Sequence, residues 1–200
     1  MIPVPRNTRG WVRLVYEDQG DPFILEAGDC VIQPPQIRHR VLEASENVGV
    51  LEIGVPAEHI TTIDHDIEVP TGRHDSVREW DGTRFVHHKA EGAEWTPWRI
   101  PGWESRNTGI GTATKGVAGV HVARPADPQG AWTSHNTDVL FTFVKEGSLT
   151  LEVTGEDPYR LEAGDAFVLP PFIKARYVDM TPDCELIETT LGAEFTTQVG

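Results

Sequence analysis

The chain has 200 residues and carries 31 acidic against 17 basic side chains, which gives a net charge of −14 with histidine neutral. Like charges repel, so this balance disfavours nucleic acids and anionic membrane surfaces as partners. No apolar run approaches the roughly 18 residues of a membrane-spanning helix, and the N-terminus lacks the apolar core of a signal peptide. Cys30 and Cys184 are the only cysteines. They are too few for a disulfide framework, and we expect a cytoplasmic location.

The apolar residues occur in short segments separated by glycine and proline, which is typical of strands joined by turns. In LTLEV (149–153) the apolar residues alternate with Thr150 and Glu152, so one face of a strand would be buried. Further predicted strands are VRLVY (12–16), LFTFV (140–144) and AFVLPP (166–171). The glycine-containing segment 107–116 is expected to form turns. The chain is predicted to be mostly antiparallel β-structure.

An internal repeat organises the chain. Residues 21–59 align without a gap with residues 157–195, with 14 identities in 39 positions. Chance would give about two or three identities, so the alignment indicates duplication. The matching segments include Leu-Glu-Ala-Gly-Asp (25–29 and 161–165), Pro-Pro (34–35 and 170–171), Arg40 with Arg176, and Glu52 with Glu188.

Each repeat is predicted to contain a strand, a turn at Gly-Asp, a second strand, a Pro-Pro turn and a third strand. Glycine tolerates a positive φ, and aspartate accepts hydrogen bonds from nearby backbone. Neither proline can donate an N–H to a sheet, so the pair ends the ladder. Two such units in 200 residues predict two β-barrels or sandwiches.

Two segments resemble the motifs of a known family. AGDCVIQPPQIRHRV (27–41) is similar to the second motif of the cupin superfamily, and SHNTDVLFTFVKEG (134–147) resembles its first motif. The resemblance implies an all-β bicupin with two tandem cupin-like jelly-roll β-barrels. The first barrel, at 1–60, would lack its leading strands. Residues 61–80 would form the connection, and the second barrel would occupy 81–200.

The resemblance also implies a divalent metal (Fe, Mn, Ni or Zn) held by His-x-His and Glu of the first motif and His of the second. In the second repeat these four places fall on Thr133, His135, Leu140 and Ala175, so only His135 matches. Asp138 lies three residues further on, and His121 lies on the preceding predicted strand. A site of His135 with Asp138 and His121 is an off-pattern alternative.

In the first repeat the motif histidine is present as His39, but the first-motif Glu place falls on Pro3 and the His places precede Met1. Three explanations stay open: a start that lies further upstream, strands supplied by a partner in a homodimer, or loss of the site. The side chains of Arg13, Arg38 and Arg40 flank His39 and are candidates for binding an anionic substrate. Their alternative role is an exposed strand face that balances nearby acids.

The segment EWTPWRIPGWESR (94–106) concentrates three tryptophans, Trp95, Trp98 and Trp103. Tryptophans beside proline and glycine are expected to close and pack the end of a barrel. The alternative is a stacking wall for a planar or sugar-like ligand.

Two functions follow from the resemblance. The first is a metal-dependent enzyme, dioxygenase-like or an isomerase or lyase, acting on a small polar or aromatic molecule. The second is a metal-free bicupin that binds a small molecule or serves as a structural module, and Leu140 and Ala175 at ligand places favour it. Phosphate-binding loops, a nucleophile elbow and Cys-x-x-Cys zinc sites are absent from the sequence.

Overall fold

The computed structural model describes residues 6–56 and 62–200. The chain divides into two compact units, Met1–Ala93 and Glu94–Gly200. Every strand pair between the described residues is antiparallel. The prediction of an all-β, antiparallel fold is confirmed.

The first unit contains nine strands in its described part. They are β1 (Arg6–Arg9), β2 (Val12–Tyr16), β3 (Phe23–Leu25), β4 (Cys30–Ile32), β5 (His39–Ala44), β6 (Gly49–Leu51), β7 (Glu79–Trp80), β8 (Thr83–Arg84) and β9 (Val86–His88). They form a four-stranded sheet in the order β6-β1-β4-β9, a three-stranded sheet β3-β2-β5, and the hairpin β7-β8. β9 pairs with β4 and belongs to the first unit. The barrel bounds that the resemblance implies, with a connection at 61–80, stay a prediction.

The second unit contains one helical turn and eleven strands. They are β10 (Thr96–Pro97), β11 (Trp103–Asn107), α1 (Ile110–Ala113), β12 (Ala118–Pro125), β13 (Thr133–His135), β14 (Val139–Glu146), β15 (Ser148–Val153), β16 (Tyr159–Glu162), β17 (Ala166–Leu169), β18 (Ala175–Val178), β19 (Glu185–Leu191) and β20 (Thr197–Val199). Two sheets result, β10-β11-β12-β19-β14-β17 and β16-β15-β18-β13-β20. The short helix α1 corrects the expectation of turns alone at 107–116. The Thr114 hydroxyl, 3.0 Å from the Ile110 carbonyl oxygen, closes the end of this helix.

The two units repeat one strand topology. β1 pairs with β4 and β6, as β14 pairs with β17 and β19. β2 pairs with β3 and β5, as β15 pairs with β16 and β18. In the second unit, the strands β10 to β13 precede this set. The sequence repeat therefore corresponds to a repeated arrangement of strands.

The turns of the two repeats share individual hydrogen bonds. In the first, the Asp29 N–H donates to the Glu26 carbonyl oxygen at 3.0 Å, and the Glu26 N–H donates to the Asp29 carboxylate at 3.1 Å. Asp165 and Glu162 make the same two bonds at 2.9 and 2.8 Å. The Gly-Asp turn predicted from the sequence is thus closed by its own aspartate.

One glycine in each unit connects equivalent strands: Gly10 lies between β1 and β2, and Gly147 lies between β14 and β15. Gly10 has φ 70° and Gly147 has φ 67°, in the left-handed region that favours glycine. A Cβ at Gly10 would lie 2.1 Å from the Ser45 hydroxyl oxygen, and one at Gly147 would lie 2.4 Å from that of Thr181. Both positions therefore require glycine for its φ and for its lack of a side chain.

Each unit has its own apolar core. In the second unit the core draws residues from both sheets, which therefore pack face to face as in a jelly roll: Leu140, Val144 and Leu186 from one, and Leu149, Leu151 and Tyr177 from the other. The first unit packs Val12, Leu14, Tyr16, Leu25, Val31, Ile37 and Trp80. Cys30 and Cys184 are both buried, and no disulfide joins them. None of the described helices is long and apolar enough to span a membrane.

Candidate functional site

The interior of the second barrel contains a buried ion pair. Glu188, on β19, is 1% exposed, and its carboxylate receives two hydrogen bonds from Arg99 Nε, at 2.9 and 3.1 Å, and a third from Arg99 Nη2. The Arg99 guanidinium also lies over the ring of Trp98, 4.6 Å from its centroid. The geometry is the two-pronged arrangement in which arginine binds a carboxylate most specifically.

The two charges of this ion pair compensate each other. Burial disfavours the charged form of Arg99, but the charge of Glu188 and its hydrogen bonds outweigh that effect and raise the pKa of Arg99. A buried pair of this kind is costly to break, because the remaining charge would be left without a partner. The two side chains therefore hold each other in place.

Three buried polar side chains lie beside the pair. The Tyr177 hydroxyl interacts with both Arg99 and the Thr142 hydroxyl, and Thr142 lies directly opposite Glu188 in the pairing of β14 with β19. His135 is buried on β13 and interacts with the charges of both members of the pair. The polar groups of the barrel interior therefore contact one another, as buried polar groups in folded proteins do.

His135 makes contacts with two backbone groups. Its Nε2 lies 3.1 Å from the carbonyl oxygen of Leu169, and the backbone of Thr137 also bonds to the ring. Burial lowers the pKa of His135, and these backbone contacts act in the opposite direction. The side chain is thus held in place by the segments on both sides of it.

Tyr177 is also uncharged. Burial raises its pKa to about 12, although the positive charge of Arg99 acts in the opposite direction. Its hydroxyl can both donate and accept, as can that of Thr142. The interior therefore contains one imidazole, two hydroxyls and a compensated ion pair.

Aromatic rings enclose this polar cluster. Trp103 lies 5.9 Å from Trp98 and 5.6 Å from Tyr177, measured between ring centroids. Phe195 meets the ring of His135 edge-on at 6.2 Å and lies 5.9 Å from the Arg99 guanidinium carbon. Trp103 is buried in the core, as the packing interpretation of the tryptophan segment predicts. Trp98 packs against the same core and lies under the Arg99 guanidinium. The alternative of a stacking wall for a ligand stays a prediction.

The metal ligands predicted for the second unit do not form a cluster. His135 is buried in the barrel, whereas Asp138 is exposed. His121 lies opposite Glu188 in the pairing of β12 with β19, and its Nδ1 is 3.4 Å from the Ser105 hydroxyl oxygen. No group of three or more His, Cys, Asp or Glu side chains that could hold a metal occurs in the described parts of the chain.

The donor set at the remaining family positions does not fit a divalent metal. Thr133 and Ala175 lie opposite each other in a strand pair, and both are buried. Leu140 is fully buried in the apolar core. Iron, manganese, nickel and zinc sites need imidazole, carboxylate or thiolate ligands, and methyl and methylene groups supply none. No metal-dependent step can be assigned to these residues.

In the first unit, His39 is an exposed residue at the start of β5. Its Nδ1 lies 3.3 Å from the Ile37 carbonyl oxygen, and its ring stacks on Tyr16 at 5.3 Å. Of the candidate substrate-binding arginines, Arg13 is exposed on β2, and Arg40 donates to the Ile67 carbonyl oxygen at 3.2 Å. Their role in substrate binding stays a prediction.

Arg38, the third of these arginines, is engaged in an ion-pair network. It binds the Glu17 carboxylate at 3.0 and 3.1 Å, and Arg78 reaches both Glu17 and Asp18. The hydrogen bond from Arg38 is the largest of the effects that lower the pKa of Glu17. This contact gives Arg38 a role in joining β5 to the segment after β2.

A second paired histidine in the first unit was not among the predicted site residues. His87 Nε2 lies 3.2 Å from the Asp29 carboxylate, and its ring stacks on Phe23 at 4.4 Å. Asp29 also accepts the Ala90 N–H at 2.7 Å. Burial lowers the pKa of His87, and Asp29 acts in the opposite direction. The sequence marked Asp29 only as a turn residue.

Sequence reasoning also missed Arg99, Thr142 and Tyr177. One signal was available, because Glu188 is one of the identities in the repeat. A glutamate within the apolar strand ELIETTL (185–191) needs a cationic partner if its side chain faces the core. The partner itself, 89 residues away, could not be chosen from the sequence.

No family model matches the chain, and no curated protein matches it. Solved structures do. Salicylate 1,2-dioxygenase from Pseudaminobacter salicylatoxidans matches with a TM-score of 0.64 and 14% identity, over 99% of this chain and 68% of that chain. A putative glyoxylate-induced protein from Pseudomonas aeruginosa matches with a TM-score of 0.64 and 13% identity, over 96% of this chain and 66% of that chain.

These neighbours are cupin-fold proteins. The chain has a cupin-type fold. Another structure of the same dioxygenase contains adducts with gentisate; it matches with a TM-score of 0.64 and 14% identity, over 99% of this chain and 66% of that chain. At these identities the similarity establishes the cupin-type fold of this chain and leaves its activity open.

Proposed function

We propose that the second unit of this cupin-type protein binds a small molecule inside its barrel without a metal ion. The observation that carries the proposal is the buried polar cluster around the Arg99–Glu188 pair, which lies beside an apolar core and lacks the donor set of a metal site. Such a cluster supplies the few converging polar groups that orient a small ligand. Cavities of cupin-like barrels suit this role, since pockets are mostly apolar with a few converging polar groups.

The residue types at the family's metal positions support the same proposal. Of the four places, only His135 can bind a metal, and its Nε2 is already engaged by the Leu169 carbonyl. The neighbour that forms adducts with gentisate supports a small molecule as the class of ligand. The finer parts of the account, a bicupin with a partial first barrel, a homodimer and a cytoplasmic location, remain proposals.

A metal-dependent enzyme, dioxygenase-like or an isomerase or lyase, is the second candidate, and one observation favours it. His39 occupies the histidine place of the second motif in the first unit, and its ring is exposed. The other ligands would have to come from residues outside those that the structure describes around it. Arg13 and Arg40 would then contact an anionic substrate.

The test is ligand binding by protein from which metals have been removed with a chelator. A panel of small hydroxylated aromatic and sugar-like molecules is screened by thermal shift, and binders are measured by calorimetry. Thr142→Val and Tyr177→Phe remove one hydroxyl each at nearly constant shape. We expect each to weaken binding about tenfold while leaving the fold intact.

The matched control is Thr154→Val, which changes an exposed threonine in the turn after β15. It should leave binding unchanged. Binding that requires added iron, manganese, nickel or zinc, or that is unaffected by both Thr142→Val and Tyr177→Phe, contradicts the proposal. The first of these outcomes favours the metal-dependent alternative.

A further inference from the structure

The strand β5 of the first unit forms an exposed edge of its sheet. All six of its residues, His39–Ala44, are exposed, and the side chains of Val41 and Leu42 are 59% and 41% exposed. Among the described residues β5 pairs only with β2, so its other edge has no strand beside it in that part of the chain. An exposed edge with apolar side chains is a template for pairing with another strand.

The equivalent strand of the second unit has a neighbour on both edges. β18 pairs with β15 on one side and with β13 on the other, where Ala175 lies opposite Thr133. Ala175 corresponds to His39 in the repeat. Because both neighbours of β18 are antiparallel to it, the strand arrangement of the repeat accepts an antiparallel strand at this edge.

A β-bulge determines which side chains of β5 share a face. Glu43 lies opposite Arg13 of β2, and Arg40 lies opposite Val15. Residues 13 and 15 are two positions apart and point to one face, so Arg40 and Glu43 also share a face. In a regular strand, residues three positions apart would point to opposite faces. The extra residue that brings them together is Leu42.

With this bulge, β5 is complementary to itself in the antiparallel direction. When Val41 lies opposite Leu42 of the partner subunit, Arg40 lies opposite Glu43 of the partner subunit on the same face. A two-fold axis repeats each contact, so two arginine–glutamate contacts flank two apolar contacts. Opposite charges and apolar side chains that face each other across a strand pair are both stabilising.

Both charged side chains can make this contact. Arg40 uses one of the five N–H groups of its guanidinium for the Ile67 carbonyl oxygen. Glu43 is exposed and takes part in none of the ion pairs between described residues. In the paired state it would lie between Arg13 of its own strand pair and Arg40 of the partner subunit.

We propose that two copies of this chain associate through their β5 edges. The two three-stranded sheets then form one continuous antiparallel sheet in the order β3-β2-β5-β5-β2-β3, with a two-fold axis perpendicular to it. This proposal is independent of ligand binding by the second unit. A contact along six residues buries less area than a standard protein interface, so we expect a dimer that dissociates at micromolar concentrations.

Charge reversal tests both the surface and the register. Sedimentation velocity of the full chain, at physiological salt and over a hundredfold range of micromolar concentration, should show a dimer that increases with concentration. Arg40→Glu and Glu43→Arg each make both charged contacts repulsive and should weaken the dimer at least about tenfold. An equimolar mixture of the two variants should restore it, because each subunit then supplies the charge that the other lacks.

Lys89→Glu and Glu91→Arg are the matched controls. They make the same changes of charge at exposed residues of the first unit, in the segment after β9. Neither variant should change the dissociation constant. Hydrogen exchange locates the contact: the amides of residues 39–44 should exchange more slowly as the concentration of the unmodified chain rises, and this protection should be absent in Arg40→Glu.

Four results would overturn the proposal. The first is a chain that stays monomeric at every concentration, and the second is a dimer that neither charge reversal weakens, which would mean that another surface joins the copies. The third is a mixture of the two variants that associates no better than each variant alone. The fourth is protection of residues 39–44 in the monomer, which would mean that a segment of the same chain covers the edge.

Discussion

β5 in the first unit is exposed along its whole length, whereas its counterpart β18 in the second unit alternates buried and half-buried residues. The difference has a local cause. β18 pairs with both β15 and β13, while among the described residues β5 pairs only with β2. The same strand of the repeat is therefore an interior strand in one unit and an edge strand in the other.

The turns do not differ in this way. Gly10 and Gly147, and Asp29 and Asp165, keep the same backbone geometry and the same hydrogen bonds. A turn needs particular residues for reasons that lie within a few positions of it. An interior side chain depends on distant neighbours, and these changed after duplication. Four predictions test this contrast.

The largest effect is expected at the buried glutamate of the second unit. Glu188→Leu leaves Arg99 buried without a partner and should lower the free energy of unfolding by about 3–5 kcal/mol. Glu52→Leu, at the equivalent and exposed position of the first unit, should change it by less than about 0.5 kcal/mol. Urea unfolding followed by tryptophan fluorescence measures both.

The double variant Arg99→Leu/Glu188→Leu is the control for that prediction. It removes both charges, so it should be less destabilised than Glu188→Leu alone. If the loss of stability in the double variant equals the sum of the losses in Arg99→Leu and Glu188→Leu, the two side chains are not coupled. The contrast between the units would then be removed.

The next effect concerns the two turn aspartates. Asp29 is buried and accepts hydrogen bonds from the Glu26 and Ala90 N–H groups and contacts His87, whereas Asp165 is exposed. Asp29→Ala should therefore cost about 2–3 kcal/mol, and Asp165→Ala about 0.5–1 kcal/mol. Equal losses in urea unfolding would mean that the turn alone, and not the contact with β9, determines the effect.

Gly147→Ala should destabilise by about 2 kcal/mol, because it adds a Cβ clash with Thr181 to an unfavourable φ. Gly10→Ala should lower the free energy of unfolding by a similar amount. Gly155, with φ 86° and no heavy atom near a Cβ, is the matched control, and Gly155→Ala should cost about 1 kcal/mol. If Gly147→Ala costs no more than Gly155→Ala in the same unfolding experiment, the close approach of the strands is not required.

The smallest effect is a pH dependence. Burial lowers the pKa of His135 below its ordinary value of 6.5, so the unfolded chain binds more protons than the folded chain. Its contribution to stability is present above pH 6.5 and is lost as the pH falls below that value. His135→Gln keeps a donor for the Leu169 carbonyl and should reduce the slope of the unfolding free energy against pH.

The stability contributed by His87 in the first unit changes with pH in the same direction, because burial also lowers the pKa of His87. His87→Gln should therefore reduce the slope by a similar amount, and the two changes should add. The comparison is made by urea unfolding between pH 7.5 and 5.5. A slope that neither substitution changes would contradict the assignment of neutral, buried histidines.

The sequence was a good guide to the strands and turns and a poor guide to the site. Alternation in LTLEV and the Pro-Pro and Gly-Asp signals are local, and the strands they predict are confirmed. His135 was found because its motif is local too. Arg99 and Tyr177 were missed because they reach Glu188 from distant parts of the chain, and only the closed barrel brings them together.

Metal content tests the central claim most directly: the interior of the second barrel is a polar ligand site and not a metal site. The full chain, together with His135→Ala and His39→Ala, is incubated with Fe²⁺ or Zn²⁺, desalted and measured by plasma mass spectrometry. The account predicts well under one ion per chain, with no difference between the protein and His135→Ala. One ion per chain that is lost in His135→Ala and retained in His39→Ala would contradict it.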